Sequence, residues 1–244
     1  MQNDVSIKMQ KLPTGIEGLD FTSNGGLPIG RTTLICGSAG SAKTVLAAQY
    51  LAAGIMQYDQ SGVFVTFEER PQDIRINMRS FGWDIEQWEK EGKWVFVDAA
   101  PSPETESTVI GDYDLGGLIA RVENAAKKVG AKRLAMDSLG AVMTQFEDQL
   151  ILRREFLRIN TALKNMNVTS IMTAERASEY GPASRYGVEE FVADNVIILR
   201  NNLEDEKRRR TVEILKFRGT DHRKGEYPFT IIPGQGAVVI PLAA

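Results

Sequence analysis

Residues 37–44 read Gly-Ser-Ala-Gly-Ser-Ala-Lys-Thr, and they stand between the apolar run Arg31–Cys36 and a segment of helical spacing, Lys43–Gln57. A glycine-rich turn joining a buried strand to a helix constrains the fold more than any other feature. It calls for a sheet whose strand ends feed helix N-termini, where free backbone N–H groups can wrap phosphate oxygens. The corresponding pattern is G-x-x-x-x-G-K-[ST]. Gly37, Lys43 and Thr44 match it, and Ala42 stands where the pattern has glycine. In such a loop the lysine neutralises the β- and γ-phosphates and the threonine hydroxyl sits on Mg²⁺. A positive φ at Ala42 would cost about 1–2 kcal/mol, roughly tenfold in an equilibrium. Several phosphate contacts would survive that loss. The bland alternative is a Gly/Ser turn with a surface lysine.

The rest of the chain repeats the alternation. Gly62–Phe67, Trp94–Asp98, Arg133–Asp137 and Val168–Thr173 are short, nearly continuous apolar runs, as expected of strands buried on both faces. Helical spacing runs over Gln72–Phe81, Leu115–Val129 and Leu150–Met166, with Pro71 at the start of the first. Strands alternating with helices predict an α/β fold with a mainly parallel central sheet and helices on both faces. After Asp194 the pattern changes. Asn195–Arg200 and Arg210–Phe217 read as an antiparallel hairpin with a charged tip, Asn201–Arg209, and Glu226–Ile231 and Ala237–Ile240 read as further strands. The result is a C-terminal antiparallel β extension. No linker divides the 244 residues, so one domain over 14–244 follows a polar tail, 1–13.

Composition narrows the function classes. Lys plus Arg is 29 and Asp plus Glu is 32, a net charge of −3, so the basic excess usual in a nucleic-acid binder is missing. No apolar stretch approaches the roughly 20 residues of a membrane span. Cys36 is the one cysteine and has no internal partner, which fits a reducing, cytoplasmic setting.

Phosphoryl transfer needs a metal ligand and a group that holds the nucleophile. Asp137 ends an apolar strand, a carboxylate at the sheet edge where a phosphate loop would lie. Glu68 and Glu69 close another run; as neighbours at a strand end they would point to opposite sides. Either can serve as the base, with Glu68 preferred, and the alternative is an acidic turn before Pro71.

The order of motifs resembles the RecA-like ATPases, and within them the KaiC family. The likeness lies in Thr14–Asp20, Gly25–Gly30, the phosphate loop, Phe64–Glu69, Ser80–Asp84, Glu179–Pro182, Arg185–Val192, Lys216–Thr220 and Lys224–Ile231. The resemblance implies a RecA-like P-loop NTPase core and a homohexameric ring that hydrolyses ATP slowly with Mg²⁺ at its subunit interfaces. Gly40, Ser41, Ala42, Lys43 and Thr44 match its nucleotide loop, with Thr44 and Asp137 on the metal. Glu68 and Glu69 match its catalytic carboxylate pair. Lys216, Phe217 and Arg218 match residues that reach the neighbouring subunit's nucleotide, and Thr220 and His222 match nearby contacts. Lys216 and Arg218, two apart on a strand, share a face. The family also has a second half, bearing autokinase activity, which would begin where this chain stops. No autokinase is therefore expected here.

In relatives the region matching 99–115 helps to dock the clock protein KaiB; read from the residues alone it is a Pro/Ser/Glu-rich loop. Arg208–Arg210 could bind phosphate or nucleic acid but read more simply as a solvated hairpin tip beside Glu204–Glu206. Trp83, Trp88 and Trp94 read as packing under the sheet edge, and Cys36 as inert core. Two rival functions are an ATP-gated hexameric scaffold with little turnover and a RecA/RadA-type DNA-binding ATPase. The acidic balance and the lack of a glycine-rich DNA loop argue against the second.

Overall fold

The computed structural model describes residues 9–100, 115–144, 148–187 and 189–241. The chain enters through a two-strand sheet, β1 (Lys11–Leu12) and β2 (Leu27–Pro28), with the short helix α1 (Leu19–Thr22) between them. Lys11 and Leu12, at the end of the segment read as a tail, are thus paired. The core then alternates β3 (Thr32–Gly37), α2 (Lys43–Tyr58), β4 (Gly62–Thr66), α3 (Pro71–Met78), α4 (Ile85–Lys90), β5 (Trp94–Asp98), α5 (Leu115–Val129) and β6 (Arg133–Asp137). It continues through α6 (Gly140–Met143), α7 (Gln149–Asn165), β7 (Thr169–Glu175) and α8 (Glu189–Val192). Four strands close the chain: β8 (Asn195–Glu204), β9 (Lys207–Phe217), β10 (Glu226–Ile232) and β11 (Gly236–Val239).

Among the described residues nine strands form one sheet in the order β11-β10-β9-β8-β3-β7-β6-β4-β5. The pairs from β8 to β5 are parallel, and those from β8 through β11 antiparallel. This is the RecA-like arrangement with its antiparallel extension, as expected. Strand alternation builds two cores. Ile35, Phe64, Ala135, Ile171 and Ile197 pack under α2, α3 and α4 with Tyr50, Leu51, Ile74 and Trp94. Leu34, Val63, Val65, Leu134, Met136 and Met172 face the other way, onto Leu118 and Val122 of α5 and Leu152, Phe156 and Leu163 of α7. A one-residue slip in any central strand would exchange the two sets, so both cores enforce the register. The three tryptophans behave as expected: Trp94 is fully buried and stacks on Phe64 (5.8 Å between ring centres) and Trp88 (6.2 Å).

Three expectations need correction. The stretch 72–81 is an α-helix only to Met78; Arg79–Phe81 tightens into a 3₁₀ turn. The hairpin tip is far shorter than 201–209. β8 and β9 pair through Glu204 and Lys207, so only Asp205 and Glu206 turn, both with positive φ (48° and 62°). Positive φ at both central residues matches the twist of the flanking strands, and the charges on either side lie along the ladder. Finally, β4 ends at Thr66, so Glu68 and Glu69 sit on a bend and strand alternation does not sort them.

One buried charge anchors the N-terminal segment to the sheet. Arg133 of β6, fully buried, donates to the carbonyls of Pro13 (2.8 Å), Thr14 (3.1 Å) and Tyr50 (2.9 Å) and to Gln60 Oε1 (2.8 Å). A Cβ on Gly54 would lie 2.4 Å from its Cδ, which is why α2 carries glycine there. No helix among the described residues is long and apolar enough to cross a membrane.

Candidate active site

The site forms at the C-terminal ends of the parallel strands, the usual place in an open α/β sheet. β3 delivers the chain at Gly37, whose added Cβ would meet Ser41 Oγ at 2.2 Å. Two left-handed residues turn the loop, Gly40 (φ 74°) and Ala42 (φ 71°, ψ 30°). Ala42 caps α2, its carbonyl accepting from Leu46 N at 3.0 Å. The loop thus has the backbone of a phosphate cradle even though Ala42 carries a side chain.

Lys43 Nζ lies across its own loop, donating to the carbonyls of Gly37 (2.9 Å) and Ser38 (3.0 Å). Burial lowers its pKa, opposed by the charges of Asp137, Glu175 and Glu68. Thr44 Oγ1 donates to Asp137 Oδ2 at 2.6 Å, and Asp137 Oδ1 accepts from Thr173 Oγ1 of β7. Asp137 is therefore held from both sides, one oxygen toward the loop. Glu68 is exposed on its bend but within electrostatic reach of Lys43, Asp137 and Glu175; desolvation first, then the two carboxylates, raise its pKa. Glu69 is tied elsewhere, accepting from Asn77 Nδ2 at 2.5 Å while its carbonyl accepts from Thr66 Oγ1. Burial and Asp137 raise the Glu69 pKa as well, so what distinguishes the pair is that Asn77 holds Glu69.

The remaining candidates form a second group. β9 ends beside the beginning of β8, with Phe217 opposite Asn195, and Asn195 lies opposite Thr33 at the start of β3. The loop begins at Gly37, four residues on, which is about 13 Å along the strand. Lys216 and Arg218 thus sit at the opposite end of the sheet from their own chain's loop. β9 ends at Phe217, so Arg218 lies in the turn beyond it and strand alternation does not place it on the face of Lys216; the two side chains nevertheless reach one segment. Lys216 Nζ donates to the carbonyls of Glu190 (2.9 Å) and Ala193 (2.8 Å), and Arg218 Nη2 to that of Phe191 (2.9 Å). Thr220 is half-buried nearby. His222 is buried against Phe217 (5.5 Å between ring centres), and burial followed by Lys224 lowers its pKa, opposed by a hydrogen bond with the Ile214 backbone.

Sequence reasoning missed four residues at the loop. Glu175 ends β7 in register with Gly37. It carries the same signal as Asp137, an apolar run closed by a carboxylate, but the run reads as ending at Thr173. Glu179 accepts from Ser38 Oγ (2.5 Å) and Asn201 N (3.0 Å), and Asn201 Nδ2 reaches the Ala39 carbonyl at 3.4 Å. Arg210 is not merely solvated: its Nε donates to the Gly40 carbonyl at 2.9 Å. Extension of the hairpin strands carries it to the loop, and nothing in its sequence neighbourhood signals that. Most of the 99–115 stretch, namely 101–114, lies outside the described residues.

The residues present suit a nucleotide and a hard cation. One carboxylate and one hydroxyl 2.6 Å apart are oxygen donors of the kind that bind Mg²⁺ together with substrate phosphates. Ser41 Oγ is buried in the loop without a partner. Among the described residues no three His, Cys, Asp or Glu side chains form an all-protein metal cage.

Comparisons with known proteins point to one family. The family model described as "ATPase: KaiC" matches residues 12–244. The chain is 62% identical over 236 residues to "Circadian clock protein KaiC3" of Synechocystis sp., covering 97% of this chain and 46% of that one. It is 53% identical to "Circadian clock oscillator protein KaiC" of Synechococcus elongatus (96% of this chain, 45% of that one). The protein of that same name from Prochlorococcus marinus strain SARG is also 53% identical (98% and 47%). The chain spans about half the length of the curated relatives it matches. On the family match and these identities, it belongs to the KaiC ATPase family.

Proposed function

We propose that this chain is a single ATPase domain, 14–244 behind a short tail, which hydrolyses ATP slowly with Mg²⁺ at the interfaces of a homohexameric ring. One observation carries the reading. The loop, Lys43, Thr44 and Asp137 make a complete half-site, while Lys216 and Arg218 project about 13 Å away, at the other end of the sheet. In a head-to-tail ring the second group of one subunit meets the loop of the next.

The roles follow from position. Gly40 to Thr44 hold the phosphates, and Lys43 exchanges its two loop carbonyls for phosphate oxygens. Thr44 and Asp137 hold the Mg²⁺, which when bound neutralises charge on the β- and γ-phosphates. Glu68 accepts a proton from the attacking water, assisted by its raised pKa, and Glu69 braces the bend through Asn77. Lys216 and Arg218 of the neighbour stabilise charge developing on the γ-phosphoryl group, with Phe217, Thr220 and His222 shaping the contact. A longer parent protein would add a second half, and a KaiB-like clock protein would dock around 99–115. The scaffold reading keeps one supporting observation, the non-glycine Ala42 in the left-handed region.

The test is steady-state ADP release with Mg-ATP by this chain and its Glu68→Gln variant. Turnover by the first and loss in the second supports an ATPase with Glu68 as base. Binding without turnover by either would favour the scaffold.

A further inference from the structure

Asp194 follows α8, and its side chain is 1% exposed. It is surrounded by cations. Lys164 Nζ lies 2.8 Å from Oδ2, Arg31 Nη1 3.2 Å from Oδ1 and Arg218 Nη1 3.9 Å from Oδ1. Its backbone carbonyl accepts from Arg218 N at 3.2 Å, and the backbone just before it supplies the carbonyls of Glu190, Phe191 and Ala193 that receive Lys216 and Arg218. One buried carboxylate thus fixes the turn that holds both cations and offsets the positive charge gathered there. A buried ion pair of this kind adds little stability by itself, and its best-attested use is to specify a geometry. Arg218 remains half exposed (51%), so a group held at its base still presents its guanidinium outward.

We propose that Asp194 is the positioning residue for the trans-acting pair: it sets the direction in which Lys216 and Arg218 project toward the neighbouring subunit's nucleotide. This rests on the composite-site reading above. Without the carboxylate, four cations (Arg31, Lys164, Lys216 and Arg218) share one turn without their central counter-charge, and like charges separate. The defect should fall on the neighbour's site and leave the variant's own loop intact.

The experiment mixes silenced chains. Asp194→Asn alone is expected to lose ATP turnover by at least about tenfold, the factor carried by one hydrogen bond to a charged group. Its affinity for a non-hydrolysable Mg-ATP analogue should stay within about threefold of the parent, whereas a general structural defect would move both. A chain carrying Glu68→Gln and Glu69→Gln is silent in its own loop but keeps intact trans cations. Random assembly of equal amounts joins an intact loop to an intact trans pair at about a quarter of head-to-tail interfaces. The mixture is therefore expected to recover to about a quarter of parent turnover. A mixture no faster than the mean of its two components overturns the proposal. Arg218→Ala mixed with the same silent chain is the control. If it recovers and the Asp194 mixture does not, Asp194 lacks this role and the composite site stands. If neither recovers, the composite-site reading falls and the proposal with it. Should Asp194→Asn not assemble, Asp194→Glu is the second variant: its turnover loss must be smaller than that of Arg218→Ala and must be recovered by the silent chain, and an unrecovered loss overturns the role.

Discussion

Replacing Ala42 with glycine separates two places where the strain of the phosphate loop could be felt. Ala42 holds φ 71° and ψ 30°, and its carbonyl caps α2. An L-residue in this region costs about 1–2 kcal/mol, which glycine removes. Glycine in turn loses about 0.5–1 kcal/mol more conformational freedom on folding. The half-buried methyl contributes little, so Ala42→Gly is expected to stabilise the fold by about 0.5–1 kcal/mol and raise Tm by about 1–4 °C for a chain of this size. Because this backbone caps α2, its strain belongs to the fold and not to the bound nucleotide, and it cancels from affinity. The Kd for a non-hydrolysable Mg-ATP analogue should therefore change by less than about threefold. Thermal unfolding with and without the analogue, together with calorimetric titration, measures both quantities. An unchanged Tm with affinity tightened about tenfold would refute the reasoning, since the strain would then arise on binding.

Other expectations follow from single contacts. Thr173→Val removes the second support of Asp137 and should weaken the apparent Mg²⁺ dependence of turnover by about 10–100-fold, read from a Mg²⁺ titration at saturating ATP. Burial and the nearby Glu175 and Asp137 raise the Glu68 pKa, so the protonated, inactive base appears at higher pH than for an ordinary glutamate. Turnover should fall on acidification in a limb displaced upward from the usual carboxylate range, and Glu175→Gln should move that limb down. Burial pushes the Cys36 thiol up, so a maleimide should label it only after denaturation; rapid labelling of the native chain would contradict its place in the core.

The sheet was legible because its strands are buried on both faces: short apolar runs such as Trp94–Asp98 and Arg133–Asp137 coincide with β5 and β6. The loop and Asp137 were legible because each is local, a glycine-rich turn and a carboxylate closing an apolar run. The strand order and the contacts across it were not. Arg210 reaches Gly40 only because β8 and β9 extend to a two-residue turn, and β-ladder length is set by cross-strand pairing, not by the residues of either strand. Asp194 only marked where the pattern changes, and its surroundings come from Arg31, Lys164 and Arg218, which lie far apart along the chain. The Glu68/Glu69 choice depended on where β4 stops, and element ends are the least readable feature of a sequence.

The central claim is that each active site is shared by two chains. Its most direct test is ADP release per chain as a function of chain concentration, with mass measured in the same Mg-ATP buffer. A shared site predicts turnover per chain that is near zero for the monomer and rises in step with assembly into rings. Turnover per chain that stays constant while the ring dissociates to monomer would contradict it.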